Sequence, residues 1–345
     1  MSEPGVADGG AVTDARRLPS DAPTPSPDGA SPHRELAVAI EGVQKRFGGV
    51  QALRDLHLTV PEGQITVLLG PNGAGKTTAI RIITGALPPD AGRVRTLGLD
   101  PADDGEAVRL RCGVVSAKPA LYDRLDGWDN LGYAAALYGI RVGATEQIRA
   151  AAARFGIDHA LDQKVGGYST GMKTRLALAR AILHRPDLLL FDEPTSGLDP
   201  ESSQAVLRMI REMTADGTTV IMCTHLLVEA EGLADQIVML EDGAALLAGS
   251  QDELVRRYWP TPVVRFDAVD PTGLDALSTC DGVLGYERNG VVTVELDDLA
   301  RVPDLVGWLT TNGVRLTRVE PHRPSLEELY FTVRRGVTAP EEVLR

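Results

Sequence analysis

The residues Gly70-Pro71-Asn72-Gly73-Ala74-Gly75-Lys76-Thr77 carry the densest chemistry in the chain. Glycine, four residues, then Gly-Lys-Thr is the spacing of a phosphate-binding loop when an apolar strand precedes it and a helix follows. Both contexts are present, because Ile65 to Leu69 is an apolar run interrupted only by Thr66, and Ile80, Ile83 and Leu87 recur at helical spacing. Glycines let successive backbone N–H groups turn inward around the β- and γ-phosphates of a nucleotide, and a helix N-terminus adds positive potential. Lys76 supplies a mobile charge at the γ-phosphate, the Thr77 hydroxyl is a hard ligand for Mg²⁺, and Thr78 follows in the same first turn. A solvated glycine-rich turn is the alternative, and it would need neither the strand nor the helix.

A second constellation ends another apolar run, Leu188-Leu189-Leu190-Phe191-Asp192-Glu193. Carboxylates at the carboxyl end of a buried strand lie where ligands bind in open α/β folds. Asp192 is placed to hold the metal, through water, and Glu193 to act as general base on the attacking water. Alone, the pair would read as a solvated strand end; beside a phosphate loop it reads as its catalytic complement. The run Val220 to Cys223 ends in Thr224-His225, which brings an imidazole to the same edge, where it can position water and sense the transferring group. His33, His57, His159, His184 and His322 have no such context and read as structural.

The elements that must position these groups are legible around them. Ala37 to Ile40 and Leu56 to Val60 read as strands, and Ile65 to Leu69 as a strand buried on both faces. Asp199 caps a helix with Pro200 in its first position, Val206, Leu207 and Ile210 on one face and Gly217 just past its end. Strand, helix and strand from Leu188 to Cys223 therefore form a parallel crossover. Residues 120–185 are mostly helical, with Leu176, Ile182 and Leu183 in phase before Pro186, and read as an insertion in the sheet-based core. After Trp259-Pro260 the chain shifts to short alternating strands, with Asn289-Gly290 as a two-residue hairpin turn and amphipathic helices near Leu305 to Leu309 and Leu326 to Phe331.

The whole chain bounds these readings. At 345 residues it has room for about two domains. Residues 1–35, rich in Pro, Gly, Ala, Asp and Ser, cannot offset the entropy of ordering and read as a disordered tail. A net charge of −13 argues against nucleic acid as a partner, since phosphates require clustered Lys and Arg. Cys112, Cys223 and Cys280 are odd in number and far apart, so neither a disulfide framework nor a Cys-x-x-Cys site is expected, which suits a reducing cytosol. No run of eighteen apolar residues and no signal peptide is visible, so the chain is expected neither to cross a membrane nor to be secreted.

Together these residues resemble the ATP-binding cassette (ABC) family over about residues 36–258. The discriminating stretch is Tyr168-Ser169-Thr170-Gly171-Met172, upstream of Asp192, which is similar to that family's signature; Ser196-Gly197-Leu198-Asp199 resembles its D-loop. The resemblance implies an α/β fold: a P-loop NTPase core of ABC type with a helical insertion, and a small α+β C-terminal domain over 262–335. It also implies a head-to-tail homodimer sandwiching two ATP molecules with Mg²⁺. Each site takes its phosphate loop, Asp192, Glu193 and His225 from one copy and Ser169, Thr170 and Gly171 from the other, with Asp199 beside the nucleotide. Phe47 resembles the aromatic that stacks on adenine, although a surface or core phenylalanine reads the same.

Three departures from the family pattern stand out. Phe47 replaces a tyrosine, Thr170 replaces the first of two signature glycines, and Ala117 occupies the position of the Q-loop glutamine. Either Ser116 or Lys118 substitutes for that glutamine, or its contact is missing. The single cassette without a membrane segment resembles the ATP-binding subunit of a bacterial drug exporter of the daunorubicin-resistance type. A separately encoded integral-membrane permease is then the partner and the cytoplasmic face of the membrane the location. Pro324-Ser325-Leu326-Glu327-Glu328-Leu329-Tyr330-Phe331 resembles the C-terminal extension of those subunits, or is a stabilising appendage. Tyr122 and Trp128 mark an expected docking groove, core packing being the alternative. Soluble cassettes acting as ATP-dependent switches, or remodelling nucleic-acid complexes, are the competing class; the latter carry tandem cassettes, zinc sites or coiled-coil insertions that are not visible here.

Overall fold

The computed structural model of the protein describes residues 35–334. The tail expected over 1–35 lies, but for Glu35, outside the described residues. Alternating apolar residues build a long antiparallel hairpin from β1 (Leu36–Phe47) and β2 (Val50–Pro61), with Val38, Ile40, Val43, Leu56 and Val60 buried between it and the core. Both strands run to 12 residues, well beyond their apolar cores, because backbone pairing carries the polar positions along. β3 (Ile65–Leu69) is buried at every position and feeds the loop that opens α1 (Lys76–Ile83). That helix stops before Leu87, where Gly85 turns the chain with φ +66°. β4 (Ala91–Thr96) then returns to β1, giving a sheet ordered β2-β1-β4, and α2 (Gly105–Leu110) leads into β5 (Cys112–Val115).

The expected helical insertion follows as α3 (Gly127–Leu137), α4 (Ala144–Arg154) and α5 (Thr170–Ile182). The chain re-enters the sheet through β6 (Leu188–Asp192), α6 (Pro200–Ala215), β7 (Thr219–Thr224), α7 (Leu227–Leu233), β8 (Gln236–Glu241) and β9 (Ala244–Gly249). The six-stranded sheet is ordered β5-β6-β7-β3-β8-β9, parallel except for β9. Strands β6 and β3 flank β7, so the carboxyl ends that carry Asp192, Thr224 and Gly70 are neighbours. Parallel strands covered on both faces are largely apolar, and β3, β6 and β7 are buried along their whole length, with Thr66, Asp192, Thr219 and Thr224 as their polar residues.

Past α8 (Gln251–Tyr258), the strands β10 (Val263–Ala268), β11 (Val283–Asn289) and β12 (Val291–Leu296) are followed by α9 (Val302–Thr311), β13 (Leu316–His322) and α10 (Leu326–Arg334). Gly290 turns the β11–β12 hairpin with φ +82°. The sheet order β11-β12-β10-β13, all antiparallel, is a split β-α-β arrangement in which a 3₁₀ segment, Pro271–Thr279, replaces the first helix. Val264, Phe266, Val292, Val294, Leu305 and Leu309 form its own core. The last helix does not pack on this sheet. Leu326 and Leu329 are fully buried in the core cluster that includes Leu233 and Leu254, so α10 is seated on α7 and α8. Arg334 fastens it to Glu241 of β8 at 2.6 Å.

Candidate functional site

The loop between β3 and α1 keeps its shape because three glycines stand where side chains cannot. A Cβ on Gly70 would lie 2.3 Å from the carbonyl oxygen of Leu240, and one on Gly75, at φ +104°, would lie 2.7 Å from that of Ala52. Gly73 has φ +87° and open space around it, so there only the backbone angle calls for glycine. The Gly70 N–H donates to the Thr224 carbonyl at 3.3 Å, Ala74 N–H to that of Pro71 at 3.2 Å, and Gly243 N–H to that of Ala74 at 3.2 Å. Pro71, Asn72 and Gly73 face solvent, whereas Ala74 and Lys76 are buried. Lys76 Nζ donates to the carbonyls of Gly70 at 2.6 Å and Pro71 at 3.2 Å. Thr78 is half-buried in the first turn of α1.

The acidic strand end meets this loop directly. Thr77 Oγ1 donates to Asp192 Oδ2 at 2.7 Å, joining the two expected metal ligands. Glu193 adopts φ +54°, a left-handed conformation that costs a residue with a Cβ roughly 1–2 kcal/mol and that is retained mainly at functional positions. Its N–H donates to the Cys223 carbonyl at 2.9 Å, which ties it to β7. Its side chain faces Lys76, with Oε1 3.4 Å from Nζ, and His225, with Oε2 2.7 Å from Nδ1. Oε1 is buried without a hydrogen-bond partner, since the ammonium bonds instead to the loop carbonyls. A buried carboxylate oxygen left open toward a phosphate loop is placed to accept a proton from water. A carboxylate oxygen accepts, so the tautomer that suits this contact is the one in which Nδ1 of His225 donates to Oε2 of Glu193.

Mg²⁺ fits the donors present. Thr77 and Asp192 offer hard oxygens already within bonding distance of each other, and Asp192 is buried at the end of a rigid strand. Phe47 lies at the tip of the β1–β2 hairpin, 46% exposed, with Lys45 Nζ 5.9 Å from its ring centre. Ala52 and Leu53 of that hairpin wall Gly75, so the aromatic rises from the same support as the phosphate loop.

The signature residues form a separate surface. Ser169 caps α5, its hydroxyl accepting from Met172 N–H at 3.2 Å. A Cβ on Gly197 would meet Thr170 Cγ2 at 3.9 Å, and one on Gly171 would meet Ser202 Oγ at 3.7 Å, which places the signature against the D-loop. Asp199 spends its carboxylate on capping α6, accepting from Ser202 N–H at 2.9 Å and Ser202 Oγ at 2.7 Å. The Ser202 hydroxyl, and then its N–H, hold the Asp199 carboxyl below the ordinary range. Among the described residues no hydrogen bond or ion pair joins Ser169, Thr170 or Gly171 to the phosphate loop. The structure thus brings Gly70 to Thr78, Asp192, Glu193 and His225 together, and holds the signature and Asp199 apart from them within one copy.

Ala117 is exposed, as are Ser116 and Lys118, and Ser116 Oγ donates to the Lys118 carbonyl at 3.0 Å, closing the turn on itself. That loop is anchored from α5, where Arg180 Nη1 donates to the Ala120 carbonyl at 2.5 Å. Beside it, a groove of about 430 Å³ between α1, α3 and α5 is lined by Tyr122, Tyr133, Tyr138 and Arg180. Trp128 does not line it; that ring packs on the helical core with the Arg149 guanidinium 5.7 Å away. Sequence reasoning missed Glu229, a buried carboxylate on α7 that accepts hydroxyl protons from Thr195 and Thr224.

Comparison with known proteins bears on this arrangement. The family model described as ABC transporter matches residues 53–196. An ABC transporter ATP-binding protein of Bacillus subtilis, YdbJ, is 41% identical over 89% of this chain and 97% of its own length. The chain belongs to the ABC transporter ATP-binding proteins. Another relative of this ATP-binding family, the daunorubicin resistance ATP-binding protein DrrA3 of Streptomyces coeruleorubidus, is 35% identical over 86% of this chain and 95% of its own. A solved ATP-binding subunit of an ABC transporter superposes with a TM-score of 0.59 at 29% identity, covering 64% of this chain and 92% of that one. The cassette fold and the binding of nucleotide follow from membership. Among the described residues no helix is long and apolar enough to cross a membrane.

Proposed function

We propose that this cassette hydrolyses Mg-ATP as a head-to-tail homodimer and so powers a separately encoded membrane permease, acting in the export of drugs or other small molecules. The observation that carries the hydrolytic part is the open Oε1 of Glu193, held between Lys76 and the His225 imidazole. Lys76 releases the loop carbonyls to meet the γ-phosphate. Thr77 and Asp192 hold Mg²⁺, which neutralises phosphate charge when bound. Glu193 takes the proton of the attacking water at Oε1 while His225 fixes Oε2. The Ser169 hydroxyl and the N-terminus of α5, presented by the second copy, face the same γ-phosphate from the other side. This accounts for a signature that lies apart from the phosphate loop within one copy.

ATP closes such a dimer and hydrolysis reopens it, and the differential affinity of the two states is what moves a permease. The groove beside Tyr122 and Tyr133, with exposed aromatic rings, supports docking of a permease segment there. Such docking would hold the cassette at the cytoplasmic face of the membrane. Export is supported by relatives named for daunorubicin resistance. The chain's charge of −13 leaves nucleic acid a poor partner. A switch that binds ATP without turnover is favoured by one observation, the apolar side chain of Ala117 at the Q-loop position. The test is sedimentation of Glu193→Gln with and without Mg-ATP. A stable ATP-dependent dimer is expected; a variant that remains monomeric at saturating ATP would contradict the sandwich.

A further inference from the structure

We infer that Glu229 is a positioning residue for hydrolysis, a clasp that sets the spacing between Glu193 and His225; the inference rests on the hydrolytic reading above. Glu229 lies on α7 and is only 7% exposed, as are Thr195 at 5% and Thr224 at 0%. Among the described residues no cation pairs with it. A buried carboxylate is tolerated only when its oxygens are satisfied, and here each takes one hydroxyl proton. Thr195 Oγ1 donates to Oε1 at 2.5 Å and Thr224 Oγ1 to Oε2 at 2.8 Å.

The two threonines are neighbours in sequence of the reacting groups. Thr195 follows Glu193 by two positions, and its carbonyl accepts Leu198 N–H at 3.0 Å, shaping the D-loop turn. Thr224 directly precedes His225, and its carbonyl accepts Gly70 N–H at 3.3 Å. The Thr224 hydroxyl also accepts Leu226 N–H at 3.1 Å, so His225 is pinned from both sides. A carboxylate is acceptor-only, which commits the Thr224 proton to Glu229 and leaves its lone pair to Leu226. Glutamine of the same size must donate to one threonine and so breaks this polarity. The clasp also restrains the loop after Glu193, whose left-handed backbone needs an external hold. Loop, strand end and helix therefore meet at one side chain that touches no reacting atom.

The experiment is steady-state ATP hydrolysis by the full chain as wild type, Glu193→Gln, Glu229→Gln, Thr195→Val, His225→Ala and the His225→Ala/Glu229→Gln double variant, each checked for folding by thermal melting. Glu229→Gln should lower kcat about tenfold with KM for ATP changed less than about twofold. In the His225→Ala background the same change should cost less than about twofold, because what the clasp sets is the spacing between Glu193 and that imidazole, and without the imidazole there is no spacing left to set. Thr195→Val, which deletes one hydroxyl, should repeat the pattern and serves if Glu229→Gln does not fold. Wild-type kcat in Glu229→Gln, an additive double variant, or a loss confined to KM would overturn the inference. Should wild type and Glu193→Gln be equally inert, the hydrolytic reading falls by itself. The clasp is then judged by the imidazole NMR resonances of His225, which must shift in Glu229→Gln, and unchanged resonances would overturn it.

Discussion

Replacing Gly75 or Gly73 with alanine puts one methyl group into the same loop with two different consequences. At Gly75 the added Cβ lies 2.6 Å from Leu53 Cδ2 and 2.7 Å from the Ala52 carbonyl oxygen, with φ at +104°. A Cβ in left-handed backbone costs roughly 1–2 kcal/mol, and overpacking against a fixed carbonyl adds roughly 1–3 kcal/mol. The methyl can be accommodated only by lifting the phosphate loop off β2. At about 3 kcal/mol, nucleotide affinity falls by roughly two orders of magnitude. At Gly73, φ is +87° with nothing within 4 Å, so only the backbone contribution remains, and about 1 kcal/mol gives roughly a fivefold loss. Titration of both variants with a fluorescent ATP analogue, alongside thermal melts, reads the difference. Equal affinities in the two variants, or wild-type binding by Gly75→Ala, would refute the steric account of the loop.

Lys76→Ala should abolish measurable ATP binding by the same titration, since its ammonium is the charge held against the loop carbonyls of Gly70 and Pro71; unchanged affinity would remove Lys76 from its role. Leu329→Ala should cost roughly 2–5 kcal/mol in urea unfolding, because α10 is anchored in the cassette core by that side chain, and a loss under about 1 kcal/mol would contradict the packing. Burial pushes the Cys112 thiol up to about 12 and that of Cys223 well above its ordinary value, while Cys280 is only half-buried. Iodoacetamide at pH 8 should therefore alkylate Cys280 at least about tenfold faster than the other two, as read by peptide mass spectrometry.

The site was legible where short-range chemistry decides it. The phosphate loop, the acidic end of β6 and the His225 strand end each combine an apolar run with a polar terminus, and Asp199 with Pro200 is a helix start readable from residue types alone. Glu229 was not legible, because Leu-Val-Glu-Ala-Glu reads as a solvated helix face. Its burial depends on Thr195, which lies 34 positions away. The two leucines of α10 announce a buried face without saying what covers it, and the helix chose α7 and α8 over the adjacent sheet. Trp128 failed as a groove marker for the same reason, since an aromatic side chain declares burial and not a partner. The β1–β2 hairpin exceeded its apolar cores because the two strands pair with each other as far as Phe47 and Val50, which extends order through polar positions.

Steady-state ATP hydrolysis by the purified chain across protein concentration, with Glu193→Gln as the blank, bears most directly on the open carboxylate oxygen at the centre of the site. Specific activity that rises with concentration and vanishes in the variant is the predicted result, and it would mean that Ala117 is tolerated. Equal, concentration-independent activity in wild type and Glu193→Gln would contradict both the base assignment and the shared two-copy site.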